Sequence, residues 1–172
     1  MADALHDGLR PLPYGRQSID DDDIAAVTAW LRSDFLTQGP AVAQFEESLR
    51  AATGATYAVA VANGTAALHL ACLAAGVGAG DVGITSTVTF VASANAIRYA
   101  GGVASFTDID PSTGSMHLGS LEARLAEHRR DGRHVKVVIP VDLTGTVADL
   151  PRIRTAVEPR GDAAPDAALP IH

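Results

Sequence analysis

Residues Tyr57–Gly76, YAVAVANGTAALHLACLAAG, decide the fold. They read as a short buried strand, a tight Asn63-Gly64-Thr65 turn and an Ala-rich helix ending at Gly76. A strand that feeds a helix through small residues leaves bare backbone N–H groups at the helix start. Those donors and the positive end of the helix dipole favour an anion, most often a phosphate. Similar turns occur in α/β proteins without any ligand, so the stretch alone leaves both readings open.

Working outward, the same alternation recurs. On the N-terminal side, Met1–Pro13 has no period and reads as an arm. Ile19–Arg32 reads as a helix capped by Ser18 or Asp20, with Ile24, Val27 and Leu31 as its apolar stripe. The acidic run Asp20–Asp23 suits that first turn better than it suits a metal. After the Gly39-Pro40 turn, Ala41–Thr53 reads as a second helix closed by Gly54. On the C-terminal side, strands are expected at Val82–Thr85, Val103–Phe106 and Val135–Val141. Helices are expected at Phe90–Ala100, Leu118–Arg130 and from Asp149 to Ala156. Short apolar strands alternating with longer helices imply an α/β fold, a mostly parallel sheet between helices. Ligands in such folds sit at the carboxyl ends of strands, where Thr65, Phe90 and Asp142 fall. From its residue type alone, Phe90 reads as core.

The 172 residues are 47% hydrophobic and 19% charged, as expected of a folded domain. The net charge of −7 argues against nucleic acid or an anionic membrane as a partner. No apolar run is long enough to span a bilayer, and a cytoplasmic location is the expectation. Cys72, the single cysteine, reads as a small buried hydrophobe. The turn ANGTAAL lacks the G-x-G-x-x-G of a dinucleotide-binding unit. Lys136 is the only lysine, so chemistry that requires a lysine must use it or lie outside the chain.

Six motifs now stand in order: YGRQSIDDDDI, SDFLTQGP, VANGTAALHLA, TFVASANAIRYAGG, FTDIDPSTG and VVIPVDLTG. Together, from about Pro13 to Thr155, they resemble the DegT/DnrJ/EryC1/StrS family of pyridoxal-phosphate sugar aminotransferases. PYGRQSID and SDFLTQGP look most like the branch that aminates C4 of a UDP-linked 4-keto-6-deoxy-N-acetylhexosamine on the route to pseudaminic acid. The resemblance implies the N-terminal part of the large domain of a type I pyridoxal-phosphate-dependent transferase (aspartate aminotransferase-like) fold, over 14–156. It implies pyridoxal 5'-phosphate as cofactor, a nucleotide-sugar substrate, glutamate as amino donor, and a homodimer. Gly64 and Thr65 match the turn that holds the cofactor phosphate, and Phe90 matches the aromatic stacked on the pyridine ring. Tyr14, Asp34, Phe35, Leu36 and Thr37 match substrate-contacting positions. Asp142 falls where many relatives have a histidine and otherwise reads as a strand-end cap.

The resemblance also implies what is missing. Relatives continue into a strand ending in the carboxylate that pairs with the pyridine nitrogen, then to the lysine that binds the cofactor covalently, then to a small C-terminal domain. Lys136 does not match that lysine and reads as a surface residue at a strand entrance. The stretch 157–172, with three prolines, is expected to supply no strand and reads as a tail produced by a shifted reading frame. The chain is therefore expected to be truncated and inactive alone. The alternative is a non-catalytic remnant or interaction module that pairs with a full-length homologue.

Overall fold

Proline and capping chemistry set the local boundaries of the chain. The computed structural model describes residues 16–158 and the backbone of 169–170. They fall into two compact units, one ending at Ala60 and one starting at Val61.

The first unit holds α1 (Asp21–Leu31) and α2 (Ala41–Thr53). Asp20 closes a capping box: its Oδ1 accepts from the N–H groups of Asp22 and Asp23, and Asp23 Oδ2 accepts from the Asp20 N–H. The acidic run thus serves the helix start. Gly54 ends α2 in the left-handed region at φ 72°, where a side chain would be strained. Neither helix has a buried residue, and Ile24, Val27, Leu31, Val42 and Phe45 are all exposed. The expected apolar stripe is present in the sequence but is not covered among the described residues.

The expected strand before Asn63 does not form. Residues 57–61 belong to no ladder, and Tyr57 and Val59 are 85% and 76% exposed. Strand character comes from a partner, and no described strand lies beside this segment. Its Ala60 N–H is satisfied by a side chain instead, Glu46 Oε1 at 2.9 Å.

The second unit runs α3 (Gly64–Ala74), β1 (Asp81–Ser86), α4 (Ala92–Tyr99), β2 (Val103–Thr107), α5 (Leu118–Arg130), β3 (His134–Ile139), α6 (Leu150–Val157) and β4 (Leu169–Pro170). A short 3-10 turn over Leu143–Gly145 lies between β3 and α6. The sheet is parallel throughout, in the order β2-β1-β3-β4. β3 ends at Ile139, earlier than expected, because Pro140 has no N–H to continue the ladder. β4 corrects the reading of the tail, since two of its residues join the sheet beside Val137 and Val138.

Alternate residues of the sheet enter two cores. Val82, Ile84 and Val138 pack with Leu121 and Leu125 of α5 and Ile153 of α6. Val137 and Ile139 pack with Cys72 of α3 and Ala96 and Ile97 of α4. Cys72 is fully buried, as expected, and burial pushes its thiol pKa up. Close approach of α4 to the sheet depends on Gly83, where a Cβ would lie 2.6 Å from Ile97 Cδ1 and Cγ1. Gly83→Ala should therefore destabilise the second unit by about 1–3 kcal/mol, the usual cost of overpacking. Urea denaturation checks this, with Gly83→Ala/Ile97→Ala expected to relieve the clash while opening a void of its own.

Candidate functional site

The turn Asn63-Gly64-Thr65 is built by its own cap. Asn63 is extended and its Oδ1 accepts the Ala66 N–H at 2.9 Å, while its carbonyl accepts the Ala67 N–H. Those bonds satisfy the third and fourth N–H groups of α3. The first two, on Gly64 and Thr65, have no partner among the hydrogen bonds of the described residues. Gly64 faces open space, with nothing within 4 Å of where a Cβ would stand. Thr65 is half-buried. The result is two convergent N–H donors and a hydroxyl at the positive end of an 11-residue helix.

The connectivity places this turn at the carboxyl edge of the sheet. α3 ends at Ala74, and the chain enters β1 at Asp81, so the C-terminal end of α3 lies at the amino edge. Its N-terminus is about 16 Å away along the helix axis, at 1.5 Å per residue. β1 exits at that same carboxyl edge and leads to Phe90. The Phe90 ring is 73% exposed, so its reading as core from residue type alone is not met. The backbone around it is braced by Thr89 Oγ1 and Ser93 Oγ at 2.8 Å and by the Ser93 N–H on the Phe90 carbonyl at 3.1 Å. α3 and α4 pack against each other, with His69 edge-on to Tyr99 at 5.7 Å between ring centroids.

The fit to pyridoxal phosphate is partial. Gly64 and Thr65 suit its phosphate, and Phe90 offers a flat face to its ring. Among the described residues, none at this edge is a lysine. Lys136 lies at the other end: its Cε is 3.7 Å from where a Gly76 Cβ would stand, beside the C-terminus of α3. Pairing passes from Val82↔Val135 to Gly83↔Val137, which leaves Lys136 as the extra residue of a bulge. The bulge explains how a charged residue fits within VKVVI, and the helix dipole favours its ammonium there.

The remaining candidates are distributed as follows. Asp34, Phe35, Leu36 and Thr37 are exposed residues of the first unit, in the loop after α1. Ser33 braces that loop, its hydroxyl donating to the Trp30 carbonyl at 2.8 Å. Phe35 and Leu36, with Val27, Trp30 and Val42, line a shallow cavity of about 250 Å³. Tyr14 lies outside the described residues. Asp142 acts as a loop brace, its Oδ1 accepting the Ala148 N–H at 2.8 Å. That bond supports a turn in which Thr144 takes φ 55°. The capping role of Asn63 is open to sequence reasoning through its residue type and its place before the helix. The location of Lys136 depends on a register shift, for which the sequence carries no signal.

Comparison with known proteins gives the family. The model of the DegT/DnrJ/EryC1/StrS aminotransferase family matches residues 17–161. Spore coat polysaccharide biosynthesis protein SpsC of Bacillus subtilis is 39% identical over 150 residues, 87% of this chain and 37% of that protein. UDP-4-amino-4-deoxy-L-arabinose–oxoglutarate aminotransferase of Shewanella sediminis is 37% identical over 142 residues, 83% of this chain and 35% of that protein. A sugar aminotransferase from Streptococcus pneumoniae, solved in PMP, apo and PLP forms, superposes with a TM-score of 0.74 at 31% identity. In its PMP form the match covers 85% of this chain and 35% of that one. The chain thus spans little more than a third of the length of these relatives.

One loop at the carboxyl edge carries a pH signature. Asp110 accepts from the Ser112 hydroxyl at 2.5 Å and the Ser112 N–H at 2.8 Å, which holds its carboxyl below the usual carboxylate range. A depressed folded-state pKa gives stability that is full above the ordinary carboxylate pKa and is lost as pH falls through the folded value. Asp110→Asn should therefore reduce the loss of stability as pH falls below the ordinary carboxylate pKa of about 4, in acid unfolding followed by circular dichroism. Asn63→Ala should cost about 1 kcal/mol in urea melts, the usual value of a lost N-cap.

Proposed function

The chain belongs to the DegT/DnrJ/EryC1/StrS aminotransferase family, and from that premise we propose that it is one wall of a sugar aminotransferase site. It supplies the phosphate turn and the stacking ring of a large domain that spans 14–156. The observation that carries this reading is the pair of unengaged N–H groups on Gly64 and Thr65 at the start of α3, at the same sheet edge as the exposed Phe90 ring. Pyridoxal phosphate is the cofactor of the family, and the Streptococcus pneumoniae relative is solved in both its aldehyde and amine forms. When bound, it supplies an electron sink.

The chain's own residues bind and orient. Gly64 and Thr65 N–H groups and the Thr65 hydroxyl hold a phosphate, with Asn63 keeping the helix start in shape. Phe90 fixes the plane of the ring. None of them moves a proton, and Lys136 is at the wrong end of the sheet to do so. The substrate we propose is a nucleotide-linked 4-keto-6-deoxy sugar, with glutamate as amino donor and a homodimer as the complete assembly. The Shewanella relative, named for a UDP-linked 4-amino sugar, supports the position of amination. The finer assignment to the pseudaminic acid branch rests on PYGRQSID and SDFLTQGP alone. A second reading, an interaction module that pairs with a full-length homologue, is favoured by one observation: the first unit buries none of its described residues.

On this reading the 172-residue chain binds pyridoxal phosphate without a covalent bond and shows no glutamate-dependent amination of the keto sugar. Equilibrium dialysis should give weak binding, reduced about fivefold by Thr65→Val or Phe90→Ala, the loss of roughly one hydrogen bond or stacking contact. Borohydride treatment of the mixture should leave Lys136 unmodified by mass spectrometry. Turnover by the chain alone, or binding indifferent to both substitutions, would refute the reading.

A further inference from the structure

The turn that carries Phe90 faces one side chain inward. Ser86 at the end of β1 and Ala92 at the start of α4 are both buried. Between them Thr87, Val88, Phe90 and Val91 are exposed, and Thr89 alone is half-buried. Thr87 is tied through its backbone, its N–H on the Thr107 carbonyl at 3.0 Å. Exposed side chains give the rest of the turn little packing to hold it. Val91 stands at the N-cap of α4 and makes no side-chain capping bond, so the helix start does not fix the turn in the usual way.

Hydrogen bonds through Thr89 take that place. Its hydroxyl lies 2.8 Å from Ser93 Oγ and donates to the Phe90 carbonyl at a longer 3.3 Å. With its proton on that carbonyl, the Thr89 oxygen accepts the Ser93 hydroxyl proton. The Ser93 N–H donates to the same Phe90 carbonyl at 3.1 Å. These groups close a ring of bonds around the peptide that follows Phe90. The inner member is anchored, because Ser93 is buried in α4 beside Ala92, Ala96 and Ile97. The rotamers open to an aromatic side chain follow from its backbone angles. A fixed Phe90 backbone therefore narrows the directions of a ring that is too exposed for packing to set them.

We propose that Thr89 is a positioning residue for the Phe90 ring: through its bond to Ser93 it holds the ring in the orientation that stacks on the cofactor. The inference rests on the pyridoxal-phosphate reading above and adds a residue to it. The role is indirect, since the Thr89 hydroxyl is engaged by Ser93 and the Phe90 carbonyl. Its signature is coupling: losing the hydroxyl costs binding only while there is a ring to position. A residue that merely started α4 would cost the same with or without the ring.

A double-mutant cycle on the full chain, read by equilibrium dialysis against pyridoxal phosphate, tests this. Thr89→Val keeps the branched shape without the hydroxyl and should weaken binding about threefold, within the range of a lost neutral hydrogen bond. Ser93→Ala breaks the same contact from the buried side. It should match Thr89→Val and serves as the independent variant should the latter fold poorly. Thr89→Ser restores the hydroxyl and should bind to within about 1.5-fold of the unaltered chain. In the Phe90→Ala background, Thr89→Val should add less than about 1.5-fold. Equal losses with and without the ring overturn the proposal, as does failure of Thr89→Ser to restore binding. So does full binding by Thr89→Val and Ser93→Ala where Phe90→Ala binds weakly. The cofactor reading survives each of those results. Absence of binding by the unaltered chain, or Phe90→Ala without effect, removes that reading and the positioning role together.

Discussion

Two-sided burial of β1 and β3 is the constraint on which the second unit depends. Val137 and Ile139 face one helical layer, while Val138 faces the other. No surface of either strand is left for polar groups except at the ends, so everything chemically useful is pushed to the carboxyl edge or the amino edge. The constraint also fixes residue size. α4 can approach the sheet only because position 83 carries no side chain against Ile97. That approach sets where the chain emerges from β1, and so where Phe90 stands relative to the start of α3.

The same burial decides the fate of the single lysine. A charged residue in VKVVI cannot face either core. The register shift between Val135 and Val137 resolves this by ejecting Lys136 from the ladder, toward the C-terminal end of α3. There the carbonyl end of the helix stabilises a positive charge. Electrostatics and packing thus agree on the amino edge for the ammonium, and the Asn63-Gly64-Thr65 turn lies at the opposite, positive end of the same helix dipole. One helix separates the two, and its length sets the gap.

Local features were legible in the sequence where a single element contains its own signal. α2 and α5 begin and end where the sequence places them, α2 with its glycine stop at Gly54. Asp20 caps α1 through groups within three residues of itself. Features that depend on a distant partner were not legible. Tyr57–Val61 has strand composition but lacks a strand beside it. Leu169–Pro170 lacks strand composition yet pairs, because β3 offers an unfilled ladder. Phe90 has a core-type side chain and stands exposed, since its surroundings and not its residue type determine burial.

The candidate site shows the same division. The anion turn could be read from Asn63-Gly64-Thr65 because capping is local: Asn63 satisfies Ala66, and what remains unsatisfied is fixed by helix geometry. Whether that turn faces a phosphate, and what chemistry the phosphate carries, depends on groups that converge from elsewhere. Here the described residues at that edge include the exposed ring of Phe90 and no lysine. A helix dipole, two N–H groups and an exposed ring provide orientation but no acid or base. On the proposed reading these groups would orient a cofactor, and the proton transfers of an aminotransferase would call on an amine other than those described at this edge.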